Sequence, residues 1–117
     1  MWQLPETLRE FEEAGEGAVV LELIDSFEHD TAKRFGRLAD AVAKLDAATV
    51  KAEAHSIRGS ARQMGAEALA DVCRAVESGF PGMDWAELQG HVAQAVIQFA
   101  EVRGEMSEYV RARRVPC

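Results

Sequence analysis

A chain of 117 residues with 48% hydrophobic and 28% charged side chains has the composition of one folded globular domain, since a disordered segment carries far fewer apolar positions. Its formal charge of −7, from 13 basic and 20 acidic side chains, disfavours general binding to nucleic acid or to anionic lipid. A core plus a nucleotide-binding fold needs more residues than this, so the chain is not a kinase by itself.

In chain order, Pro5 suits the first turn of a short N-terminal helix, and Gly15 and Gly17 interrupt that pattern. Val20, Ile24, Phe27, Phe35, Leu38, Val42 and Leu45 then alternate in threes and fours, broken only by Thr31, which predicts one long helix over 18–44. Asp46 reads as the cap of a third helix with the stripe Val50, Ala54, Ile57, Ala61 and Met64, which Gly65 ends or kinks. A shorter stripe of Leu69, Cys73 and Val76 follows, and Ser78-Gly79-Phe80-Pro81-Gly82 is a turn. Asp84 with Glu87 forms an N-cap pair, after which Trp85, Leu88, Val92, Ala95, Phe99, Val102, Met106 and Tyr109 keep the helical period. These aromatics at helical spacing belong to a core. Arg111 to Cys117 reads as a loose tail.

The expected fold is all-α, an antiparallel four-helix bundle with a short extra N-terminal helix and shallow left-handed crossings. A single domain is expected over 1–117, with an ordered bundle over about 4–112 and a tail over 113–117. Cys73, on an apolar stripe, is a core residue, and Cys117 is a frayed thiol, so no disulfide framework is expected. His29, His55 and His91 are far apart and none has a Glu three positions before it, so neither a metal nor a cofactor of the chain's own is expected. There is no apolar run of about 18 residues or more and no start resembling a signal peptide, which makes the cytoplasm the expected compartment, without membrane insertion.

His55 lies well round the third helix from its apolar stripe, and Lys51, Arg58, Gly59 and Arg62 project to the same outer side. Between 46 and 64 three cations stand against two carboxylates, a local charge of +1 on an acidic chain. Glycine inside a helix costs about 1 kcal/mol relative to alanine, so Gly59 asks for a reason, and the close approach of something large is the simplest. An exposed imidazole, with an ordinary pKa of about 6.5, is largely unprotonated near neutrality and is a candidate nucleophile through a ring nitrogen. Arg58 and Arg62 put positive charge beside it. Lys51 and Arg62 are the candidate partner contacts.

The run His55-Ser56-Ile57-Arg58-Gly59-Ser60-Ala61, followed by Met64-Gly65-Ala66 and then Leu69, Cys73 and Glu77, resembles the signature of histidine phosphotransfer (HPt) domains of multistep phosphorelays. That signature is His-x-Leu/Ile-Lys/Arg-Gly-Ser-Ser/Ala with Gly-Ala shortly after. Upstream, Leu21, Asp25, Phe27 and Asp30, then Leu38 and Val42, are similar to the family's long first bundle helix, and Pro81-Gly82 falls where its last hairpin belongs. The likeness covers about residues 4–112, and arginine at 58 replaces the commoner lysine.

The resemblance implies that His55 is a phosphoacceptor attacking through Nε2, that Arg58 stabilises the phosphate, and that Gly59 admits the partner's active site. It implies a phosphocarrier and not an enzyme, with no ATP site of its own, which takes a phosphoryl group from a receiver-domain aspartate and passes it to another receiver. The partners would be response-regulator receiver domains, a hybrid sensor kinase, or both, and the receiver would bring Mg²⁺. Many members orient the histidine ring or the phosphate with a polar side chain on the next helix, for which Glu77 and Arg74 both qualify. The alternatives are the histidine-bearing module of a chemotaxis-type kinase, phosphorylated directly, and a helical adaptor that is never phosphorylated. A monomer is expected, since the active face must be offered to changing partners.

Overall fold

A computed structural model describes residues 2–79 and 82–114. Its elements are α1 (Glu6–Glu13), α2 (Gly17–Ala43), α3 (Ala47–Gln63), α4 (Glu67–Ser78) and α5 (Trp85–Arg114), with no strand among the described residues. In the order of contact, α3 packs most extensively on α4, α2 on α3, α4 on α5, and α2 on both α1 and α5. The core these helices share is built from the stripes at helical spacing: Ile24, Leu38, Val50, Ile57, Leu69, Val76, Leu88 and Met106 are all but removed from water.

Three helices end in the same way, and the repetition explains where the chain turns. At the end of α3, Gly65 N–H donates to the carbonyl of Arg62 at 3.1 Å and Ala66 N–H to that of Ala61 at 2.8 Å, with Gly65 left-handed at φ 73°. This is the Schellman arrangement, which satisfies carbonyls the helix leaves unpaired. Gly15 closes α1 identically, at φ 81°, through Gly15 to Glu12 and Glu16 to Phe11. At the end of α2 the left-handed residue is Leu45, at φ 55°, with Leu45 N–H on Val42 and Asp46 N–H on Ala41.

Leu45 therefore corrects the stripe expected from spacing. It lies past the helix end and is 62% exposed, because the left-handed step turns its side chain out of the packed seam. Thr31, the apparent break in that stripe, is buried within it.

The expected tail is corrected as well. Order continues to Arg114, because the Arg113 guanidinium lies 3.5 Å from the Tyr109 ring centre and its Nε donates to Glu12 on α1 at 2.9 Å. Glu12 also accepts from the Tyr109 hydroxyl, and the two donors hold its carboxyl below the usual carboxylate range. At the other end the chain is tied down from Trp2, whose Nε1 donates to the Met64 carbonyl at 2.7 Å and whose backbone N–H donates to Glu105. Phe80, Pro81 and Cys117 lie outside the described residues, so part of the expected turn and the terminal thiol do too. Cys73 is buried, and burial pushes its thiol up to about 12, as an unreactive core position requires.

Both expected caps form. Glu87 N–H donates to Asp84 Oδ1 at 2.8 Å, and at the start of α3 the Thr49 backbone N–H and hydroxyl both donate to the Asp46 carboxylate, at 3.2 and 2.7 Å. Those donors hold the Asp46 carboxyl below its ordinary range. A lowered folded value stabilises the fold above the unfolded pKa of about 3.9, and that share disappears as the pH falls through the folded value. Urea unfolding of Asp46→Ala will thus show a deficit at neutral pH that closes in acid. Ile57→Ala, which empties the buried side of the same helix, will lose about 2–5 kcal/mol by the same measurement.

Candidate functional site

The buried face of α3 is Val50, Ala54, Ile57 and Ala61, so the phase of the helix sends His55 outward, and its side chain is 63% exposed. Small buried residues at Ala54, Ala61 and Ala70 leave α3 and α4 room to lie close. The Gly65 turn lies about midway between 55 and 77, and the hairpin it makes sets Glu77 of α4 beside the ring.

Glu77 Oε1 is 2.7 Å from His55 Nδ1. An ionised carboxylate only accepts hydrogen bonds, so Nδ1 carries the hydrogen and donates it. Arg58 closes the cluster: its Nε lies 3.1 Å from Glu77 Oε2, and its Nη2 is 3.2 Å from the same ring nitrogen. With Nδ1–H already directed at the carboxylate, the Nη2 approach is a near contact and not a second bond to the ring. The Glu77 side chain is only 18% exposed and that of Arg58 only 25%, so the pair is sheltered beneath a ring that water reaches. Among the described residues nothing bonds to Nε2. In the neutral ring that nitrogen keeps its lone pair and is a nucleophile facing solvent.

The sequence singled out five residues, and three of them, His55, Arg58 and Gly59, lie within one turn of α3. Lys51 and Arg62 are exposed on the same helix, one turn before and two turns after the histidine. A Cβ built on Gly59 would meet nothing within 4 Å. Nothing inside the protein therefore demands a glycine there. Gly36, Gly90 and Gly104 are equally open, so it is the place beside His55, not the openness alone, that makes Gly59 informative. Arg58 is engaged by Glu77, yet of its five N–H donors the remainder stay available to an anion at the ring.

Of the two side chains left open on the following helix, the structure brings Glu77 to the ring, while Arg74 is exposed one turn earlier. The signal that finds a residue there is hairpin counting from Gly65, which both satisfy. Choosing between them takes the rotational phase of α4. Across α3's other flank Glu53 is held by Arg34 at 3.1 Å and Arg37 at 3.9 Å, which ties α2 to α3 and keeps those cations off the histidine side. Among the described residues no group of three or more His, Cys, Asp or Glu side chains is placed to hold a metal ion, and no helix is long and apolar enough to cross a membrane.

The family model described as the Hpt domain matches residues 22–112. Among solved structures, the crystal structure of histidine-containing phosphotransfer protein B (HptB) from Pseudomonas aeruginosa PAO1 is similar at 25% sequence identity, with a TM-score of 0.80 over 96% of each chain. No curated protein matches.

Because a Cβ at Gly59 meets open space, Gly59→Ala will gain the helix propensity of alanine. Thermal unfolding will show stabilisation of about 1 kcal/mol, and a destabilised variant would reveal a hidden backbone demand at that site.

Proposed function

Since the chain belongs to the Hpt domain family, we propose that it is a phosphocarrier in which Nε2 of His55 takes a phosphoryl group from a receiver-domain aspartate and hands it to a second receiver. The observation that carries this reading is the exposed ring whose Nδ1 is committed to Glu77 at 2.7 Å while Nε2 is left to solvent. Phosphoryl transfer asks a protein for in-line positioning and charge neutralisation more than for covalent chemistry, and a rigid helix with one reachable nitrogen meets the first demand. Arg58 meets the second through its unspent N–H donors, and Lys51 and Arg62 border the face the partner covers.

The gap at Gly59 receives the rim of the receiver's active site. Mg²⁺ and its acidic ligands come with that receiver, free or part of a hybrid sensor kinase. The module has no ATP site, acts in the cytoplasm and works as a monomer. Its scaffold we read as a single domain in which α2 to α5 form an antiparallel four-helix bundle. Links as short as 44–46 and 64–66 join helices that pack as neighbours, and α5 returns to α2.

Incubation with phosphorylated receivers will place an acid-labile, alkali-stable label on the protein, and His55→Gln will take none. Label retained by that variant removes the site, and no label from any receiver favours an adaptor without phosphoryl chemistry. Gly59→Gln will slow labelling by receivers about tenfold or more, each 1.4 kcal/mol of obstruction being a factor of ten, while labelling by the small donor phosphoramidate continues.

A further inference from the structure

We propose that Glu77 keeps the hydrogen on Nδ1 of His55 through the whole exchange, so that the phosphoryl group enters and leaves Nε2 without a proton moving and the phosphorylated ring is a short-lived, forward-passing cation. The inference rests on the phosphoacceptor reading and adds the protonation state of the intermediate, hence its lifetime.

The step balances as follows. The Nε2 lone pair forms the N–P bond while the P–O bond to the donor aspartate breaks, its electron pair leaving with the carboxylate. The ring, still bearing Nδ1–H, becomes a phosphoimidazolium whose positive charge lies against the Glu77 carboxylate. On the way out an oxygen of the second aspartate bonds phosphorus and the N–P pair returns to Nε2. The leaving group is then a neutral imidazole. Had Nδ1 lost its hydrogen in between, the leaving group would be an imidazolate, a far stronger base, and a proton would have to arrive at the moment of transfer.

Two observations carry the proposal. Oε1 of Glu77 sits 2.7 Å from Nδ1, and a carboxylate has nothing to donate to a bare ring nitrogen, so the contact is favourable only while the hydrogen is there. Arg58 Nε stands 3.1 Å from the sheltered Oε2 as the ion-pair partner of that carboxylate. A neutral amide at 77 would orient the ring equally well without countering its charge, so the carboxylate itself is what bears on the cation.

The charged groups around the ring are few. On α3 they are Arg58, with Lys51 and Arg62 exposed; on α4 they are Glu77, with Arg74 exposed; and the α2 arginines at 34 and 37 are engaged by Glu53. Glu77 is the anion in contact with the imidazole.

The test loads the full chain with phosphoramidate, maps the label, and follows its spontaneous loss and its transfer to a receiver from about pH 6 to about pH 9. Glu77→Gln, checked for unchanged helicity, retains an acceptor for Nδ1 and removes only the charge. We expect nearly constant lability for the wild type. The variant should hold its phosphoryl group several-fold longer toward the alkaline end, with transfer slowed in step. ¹⁵N spectra of the phosphorylated wild type should show hydrogen on Nδ1 across the range, and they decide the matter alone if the variant does not fold. Label on His55 with coincident pH profiles, or a bare Nδ1 near neutrality, overturns the inference and leaves the phosphoacceptor standing. Absence of label on His55 overturns both.

Discussion

A carboxylate on one helix touching an imidazole on the next is the contact on which the rest of the site depends. It spans 22 positions of sequence, so it exists only if α3 and α4 keep their register. Everything that holds that register acts at a distance from the ring: the alanines that let the helices approach, the left-handed Gly65 that reverses the chain, and the apolar stripes that fix rotation. A rotation of either helix by one residue, about 100°, would carry Glu77 or His55 out of reach.

Charge is distributed in support of that contact. The protein is acidic as a whole, yet the outer side of α3 has a local excess of cations, and the one carboxylate set among them is sheltered and doubly engaged. Arg58 connects the two roles, bracing Glu77 while keeping donors free. On the opposite flank Glu53 absorbs Arg34 and Arg37, so these arginines of α2 tie it to α3, while Arg58 of α3 braces Glu77 beside the ring. The division follows from the phase of a single helix, whose two flanks face different neighbours.

Much of this was legible in the residues. The stripes placed the four longer helices, Pro5 and the Gly15 and Gly17 interruption marked the short first one, Asp46 and Asp84 marked two starts, and His55 with Arg58 and Gly59 stood out because a nucleophile, a cation and a gap lie close together on one helix. What was not legible depended on tertiary geometry. Leu45 continues an apolar period by count, and only the left-handed closure of α2 takes it out of the core. Arg113 reads as part of a tail until Glu12, from the far end of the chain, is found beside it. Glu77 and Arg74 are one turn apart and both near the mirror position of His55 across Gly65, so counting alone cannot choose between them.

The three Schellman closures have a mechanical consequence. Each satisfies its helix end within the chain and leaves a link only a few residues long, so the corners of the molecule are braced from inside. A surface framed by such corners meets its visitor already shaped, and little ordering entropy is lost on contact. For the proposed phosphocarrier this means a handover paced by collision, orientation and the breaking of one nitrogen–phosphorus bond, with no refolding step to wait for.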